Sequence, residues 1–233
     1  MKRFWDTVAV EAVAGGWRVV LDGRPIKTAV GAPQIVPSAP LAQALAHEWR
    51  SQGADIDARA FVLRDMADFA IDIARTDRDA VIAALLAYAG SDTLCYRAEP
   101  DEPLAIRQRA VWEPLLAAAE ERWSVAFTRV SGIIHRAQPP ATLKAMRAAL
   151  TEQDDFTLAA LNTLASLAAS LVIALAAAEP GADAAALWDA ANLEEDWQAE
   201  QWGVDDEALA LRTRRAALFG DAMRFAALLR REP

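Results

Sequence analysis

The spacing of apolar residues changes once along this chain. Up to about residue 37 the apolar positions come in short runs cut by turn signals. Val8-Ala9-Val10 is followed by Gly15-Gly16, then Trp17-Arg18-Val19-Val20-Leu21, Asp22-Gly23 and Ile26-Lys27-Thr28. β-Prone runs separated by Gly-Gly and Asp-Gly predict a hairpin and a third short strand. Pro33 and Pro37 bracket Gln34-Ile35-Val36, which completes a meander of three or four strands. Ser38 with Pro40 just behind it is a helix start. Leu41, Leu45, Glu48 and Trp49 carry that helix to about Gln52, and Gly53 stops it.

From Phe61 onward the apolar residues recur at helical spacing. Helices are predicted over 61–75, 77–88, 104–123, 141–150, 158–178, 182–202 and 205–230. Pro114 is a kink or junction inside the third. The stretches 93–96 and 123–134 fit no regular element. The expected fold is therefore α+β. A small β-rich N-terminal domain with one helix (residues 1–60) packs on a larger all-helical domain (residues 61–233).

Residues 158–178 are long and apolar enough to raise the question of a membrane span. Asn162, Thr163, Ser166 and Ser170 gather on one face, and the flanks Asp154, Asp155 and Glu179 are acidic rather than basic. The segment reads instead as a helix buried inside the helical domain, with Leu164, Leu167, Leu171 and Leu175 in the core.

The stretch 187–207, LWDAANLEEDWQAEQWGVDDE, is the most distinctive. Read as one helix, it gathers Leu187, Ala190, Ala191, Leu193, Trp197 and Trp202 into an apolar arc. Asp189, Asn192, Asp196 and Glu200 fall opposite. Glu194 sits in the middle of the arc, with Gln198 and Gln201 beside it, and Gly203 ends the helix. A carboxylate aimed at a core is costly unless it is paired. Glu194 is then either satisfied inside its own domain or turned toward a partner or cleft.

Composition narrows the function. The chain has 233 residues, 54% of them hydrophobic, and a net charge of −9. An apolar content that high supports a real core and not a disordered chain. The acidic balance argues against nucleic acid as partner. A single cysteine, Cys95, allows no internal disulfide and points to a reducing compartment. The first residues hold no sustained apolar run before Asp6, so they do not read as a signal peptide.

The catalytic inventory is thin. The two histidines, His47 and His135, are far apart, and His47-Glu48 lacks the second histidine of a zinc helix. One cysteine cannot build a thiolate metal site. No G-x-S-x-G and no phosphate-cradling glycine loop is present. Eight tryptophans are many for this length. Most of them read as packing, with one or two free to face a partner.

Leu193–Gly203, LEEDWQAEQWG, resembles the signature of the assembly chaperones for the α subunit of F-type ATP synthase. Further stretches match that family in order. They are Leu21-Asp22-Gly23-Arg24 with Lys27-Thr28, Pro37-Ser38 with Leu41-Ala42, and Glu48-Trp49 with Gln52. Ser91-Asp92 with Cys95-Tyr96-Arg97, Trp112-Pro114-Leu115, Gly132-Ile133 and Gln138-Pro139 continue the series. Ala29 departs from the proline usual after the threonine, and Phe61-Val62-Leu63 departs from a Met-Pro-Leu run. The resemblance implies a non-enzymatic chaperone with no cofactor and no metal. It would bind the unassembled α subunit and shield the surface that the β subunit later covers. It implies a partner-binding site at Glu194, Gln198, Gln201, Trp202 and Gly203. It also implies a chain that is monomeric when free and enters no membrane, in the bacterial cytoplasm or the equivalent mitochondrial matrix. Two readings compete with it. One is a small hydrolase or transferase using Glu194, Gln198 and a distant His135. The other is a purely structural Glu194.

Overall fold

A computed structural model describes residues 1–132, 136–203 and 205–230. Strands β1 (Val8–Val13) and β2 (Gly16–Leu21) form an antiparallel hairpin, with Val8 opposite Leu21 and Val13 opposite Gly16. Gly16 has φ +147°, and a Cβ there would lie 2.2 Å from the Val36 carbonyl oxygen. Only glycine lets the two backbones approach so closely. The third strand is β3 (Arg24–Pro25), two residues earlier than the pattern predicts. In the 26–28 run Lys27 instead bridges Pro33, and the buried Thr28 donates its hydroxyl to Asp72 at 2.7 Å. The 34–36 segment adds one isolated bridge, Val36 to Trp17.

Helix α1 (Ala39–Arg50) packs on this sheet through Leu41, Ala42, Leu45, Ala46 and Trp49. Ser38 caps it by accepting from the Leu41 N–H at 3.2 Å, and its hydroxyl donates to the Leu228 carbonyl. Helix α2 (Val62–Phe69) has no cap of its own. The Glu48 carboxylate of α1 does that work, accepting the N–H groups of Leu63 at 2.7 Å and Arg64 at 3.0 Å. The predicted helix 61–75 is thus α2 followed by one π-helical turn, Ala70–Ala74.

Among the described residues, the regular structure that follows is helical apart from one two-residue ladder. In order come α3 (Arg78–Gly90), α4 (Pro103–Trp123), α5 (Pro140–Thr151), α6 (Asp155–Ala168) and α7 (Leu171–Ala177). Then follow α8 (Ala184–Ala191), α9 (Leu193–Trp202) and α10 (Asp206–Leu228). The chain stays helical through the exposed Pro114, which has no N–H to give the Ala110 carbonyl. The ladder pairs β4 (Tyr96–Arg97) in parallel with β5 (Val130–Ser131), inside the two stretches that fit no element by pattern. Arg129 fastens it to α4 through ion pairs with Glu113 and Glu120.

The expected single helix 158–178 is two helices. Ala169 adopts φ +49°, ending α6 in the left-handed region. Ser170 then caps α7 by accepting the Ile173 N–H at 3.0 Å, and the fully buried Asp92 accepts the Val172 N–H at 3.0 Å. Ser170, one of the four polar residues gathered on one face by the pattern, is therefore a cap. Leu164, Leu171 and Leu175 are buried as expected, while Leu167 is only partly so. No helix among the described residues is long and apolar enough to cross a membrane. One continuous apolar cluster runs from Trp5 through the α1 and α6 residues to Ala226.

Candidate functional site on helix α9

The 187–207 stretch is not one helix. Asp183 caps α8 by accepting the N–H groups of Ala185 and Ala186. The helix closes at Asn192, which is buried and donates its side-chain amide to the Trp188 carbonyl at 2.8 Å. An Asn that satisfies a helix end from within competes with helix continuation. Helix α9 starts afresh at Leu193, and the break changes the phase of every residue after it.

The predicted faces hold only in part: Asp189 and Glu200 are exposed as expected, while Asn192 is buried. Leu193 is the buried anchor of α9. Asp196, predicted to face solvent, pairs with Arg212 of α10 at 2.7 Å. Glu200, predicted likewise, pairs with Arg107 of α4 at 2.7 Å, and Arg107 also lies over the Trp197 ring at 5.8 Å. Trp112 donates its indole N–H to the Ala190 carbonyl at 2.7 Å, tying α4 to α8. Of the expected apolar arc, Leu187, Ala190 and Leu193 are buried and Ala191 and Trp197 partly so, while the end of the arc stands outward. Glu194, Gln198 and Gln201 are exposed, and Trp202 is 82% exposed.

Glu194 is nevertheless held. Gln108, fully buried on α4, donates Nε2 to Glu194 Oε1 at 2.6 Å. The other end of that amide accepts the Ala98 N–H at 2.8 Å. Since a backbone N–H can only donate, the Gln108 oxygen must face Ala98, and its NH₂ must face Glu194. Desolvation against α4 raises the Glu194 carboxyl above its ordinary value, with the Gln108 bond opposing the rise. The first turn of α9 carries Glu194, Glu195 and Asp196, where the helix dipole favours negative charge.

The helix ends at Gly203, whose N–H bonds to the Ala199 carbonyl at 2.8 Å. Its φ of +82° with ψ of 172° lies in a region open essentially to glycine alone. Asp205 then caps α10 through the Ala208 N–H at 2.7 Å. The first turns of α10 leave Leu209 and Leu211 about half exposed. On α4, Ile106 (64% exposed) and Val111 also face solvent. A groove between α4, α8 and α9 is lined by Arg107, Val111, Ala186, Leu193, Ala199 and Glu200. The assembled surface is an open one, with exposed apolar side chains among carboxylates and amides.

Of the five predicted site residues, all lie on α9 or its end, with Glu194, Gln198, Gln201 and Trp202 on the outward side. Gln108, Arg107, Ile106 and Val111 were missed. Helix α4 is apolar or small on several sides, so its pattern alone does not single out the positions facing α9. His135, invoked for a hydrolytic reading, lies outside the described residues. Among the described residues no group of three His, Cys, Asp or Glu side chains is placed to hold a metal ion.

Residues 2–120 match the family model described as ATP12 chaperone protein, just over half of the chain. This chain belongs to the ATP12 chaperone family. Over 219 residues it is 24% identical to the mitochondrial protein atp12 of Schizosaccharomyces pombe, spanning 89% of this chain and 75% of that protein. Its fold is similar to the crystal structure of Atp12 from Paracoccus denitrificans, with TM-score 0.92, 37% identity and 98% of each chain covered. It is also similar to the Atu1473 protein, a putative chaperone from Agrobacterium tumefaciens. That match has TM-score 0.93 and 37% identity, and covers 98% of this chain and 86% of that one. The α9 surface of this ATP12-family chain lies beyond the span of the family model but within the coverage of the two structures.

Proposed function

We propose that this ATP12-family chaperone serves assembly of the F1 sector of ATP synthase by binding the unassembled α subunit. In this reading the outward side of α9, with Glu194, Gln198, Gln201, Trp202 and Gly203, is the working surface. It shields the client surface that the β subunit later covers. The chain acts as a binding protein without catalysis, monomeric when free and in the compartment where F1 is built. The observation that carries this is Trp202. A tryptophan left 82% exposed at the end of a helix that buries only Leu193 gains nothing for the free chain. Large aromatics are the residues that anchor interfaces. Its neighbours Gln198, Gln201 and Glu194 supply the polar rim that protein interfaces carry.

The test is capture of newly made ATP synthase α subunit by the full chain and by Trp202→Ala. Capture by the parent chain and its loss in the variant, with an unchanged unfolding midpoint, support the reading. Capture of no ATP synthase subunit overturns the function. Equal capture by both chains overturns the site.

A further inference from the structure

The negative charge of this chain is concentrated in one place. The net charge is −9, from 33 Asp and Glu against 24 Lys and Arg. Eight of the 33 fall within residues 187–207, which hold no Lys, Arg or His, so the rest of the sequence sets 25 acidic residues against 24 basic ones. Nearly the whole excess therefore sits on α9 and the start of α10. Part of it is answered within the fold. Asp196 pairs with Arg212 and Glu200 with Arg107, and Asp189 lies 3.9 Å from Arg212. Glu194 is bonded to Gln108, and Asp205 caps α10. Glu195, Asp206 and Glu207 are exposed and in no ion pair among the described residues.

Apolar side chains stand among these carboxylates without cover. Trp202 is 82% exposed at the end of α9. Every residue from 206 to 211 is exposed, including the run Ala208-Leu209-Ala210-Leu211. Consecutive exposed apolar residues are out of place on a helix unless something covers them. Leu209 and Leu211 point to opposite sides of α10 at 100° per residue. Both sides are open, so a covering partner wraps this turn rather than meeting one face.

We propose that the α9–α10 surface takes a cationic segment of its partner protein, with Lys or Arg side chains meeting Glu195, Asp206 and Glu207 around an apolar side chain seated on Trp202 and the two leucines. This rests on α9 being the working surface, and not on which subunit is the client. The charge chooses the occupant. A second copy of this chain would set the same carboxylates against one another, and nucleic acid would be repelled likewise. A segment rich in Lys or Arg is attracted over a distance and steered onto the surface.

Two measurements test it. In the first, the full chain is titrated with three blocked peptides, a Lys-Leu-Ala repeat and the same repeat with Gln or Glu for Lys. The readout is the Trp202 indole N–H resonance, identified by its loss in Trp202→Phe. The Lys peptide should move that signal and bind about tenfold tighter than the Gln peptide, and the Glu peptide should not bind. The triple variant Glu195→Gln, Asp206→Asn, Glu207→Gln should bind the Lys peptide no better than the Gln peptide. Leu209→Gln with Leu211→Gln should weaken both. All five side chains are exposed, so both variants should keep the parent's unfolding midpoint.

In the second, association with the unassembled ATP synthase α subunit is timed at about 50 and about 500 mM salt. The rate should fall about tenfold or more in the parent chain and hardly at all in the triple variant. No preference for the Lys peptide, an unmoved Trp202 signal, full binding by either variant, or a salt-insensitive association rate overturns the proposal. Lys-peptide binding without any α-subunit association supports the proposal and overturns the client, so the two failures are told apart.

Discussion

Gln108 and Glu194, separated by 86 positions in the chain, are joined by a 2.6 Å hydrogen bond that puts a buried amide behind an exposed carboxylate. The amide is itself fixed by the Ala98 N–H at 2.8 Å. A carboxylate on an ordinary helix surface samples several rotamers. Here one oxygen is committed to α4, and the other remains for whatever approaches α9.

Removing the amide tests how much that arrangement matters. Gln108→Leu keeps the volume but leaves the Ala98 N–H without its acceptor and Glu194 without its donor. The expected loss is about 1–3 kcal/mol, the cost of orphaning a buried polar group. The Glu194 carboxyl should also titrate higher than in the parent chain, because the Gln108 bond is what opposes its rise. Urea unfolding and carboxyl-detected NMR titration read the two effects. A variant as stable as the parent, with an unmoved Glu194 titration, would refute the relay.

Trp49 sits where the sheet, α1 and α2 meet. Its ring lies 4.9 Å from that of Trp5 and 4.5 Å from that of Phe61. Truncating a large buried aromatic leaves a cavity that the surroundings fill only partly. Trp49→Ala should cost about 3–5 kcal/mol. Denaturant unfolding measures it, and a loss under about 1 kcal/mol would mean that the two parts of the chain are not held through this ring.

Much of the fold is legible in the sequence because its signals are local. The Gly15-Gly16 turn, the Ser38 cap and the Asp154 cap each act within a few residues. What the pattern hides are breaks enforced from elsewhere. Asp92, distant in the chain, supplies the acceptor that lets α7 begin anew at Leu171. Asn192 ends α8 from within, and one helical wheel drawn across that break points Glu194 and Trp202 inward when both stand outward. The candidate site residues were thus legible by resemblance, while their orientation was not legible by periodicity. Gln108 was invisible because nothing local marks a buried glutamine whose partners lie at 98 and 194.

Stability should depend on pH through buried carboxyls. Burial lifts the Glu48 carboxyl from 4.5 to about 7, with its two N–H bonds opposing and Asp221 and Asp65 adding to the rise. Asp92 rises from 3.8 to about 6 for the same first reason. Each folded-state value lies above the unfolded one, so the folded chain holds these protons more tightly. Their stabilisation is fully present below the unfolded values and is lost as pH rises through about 6 and about 7. The chain should therefore lose about 1–3 kcal/mol of this contribution between about pH 4 and 7. Glu48→Gln should flatten the upper part of that profile. Unfolding free energies across this pH range decide it, and an unchanged slope in the variant would contradict the assignment.

The last prediction separates folding from function at Glu194. Its folded pKa is raised, so ionising it costs the folded chain a little as pH rises. Glu194→Gln removes that cost, and the new carbonyl oxygen can still accept the Gln108 NH₂. The free variant should keep its stability within about 0.5 kcal/mol near neutral pH, as surface substitutions commonly do. Glu194→Lys places a donor against the Gln108 donor, so the lysine must swing into solvent. The Gln108 NH₂ then loses its acceptor, at about 1–2 kcal/mol. If α9 meets the client, capture of the ATP synthase α subunit should weaken in the Gln variant and fall further in the Lys variant, since a reversed charge at an interface repels what the original attracted. Capture that tracks stability alone would reduce Glu194 to a structural partner of Gln108. Full capture by both stable variants would remove Glu194 from the working surface.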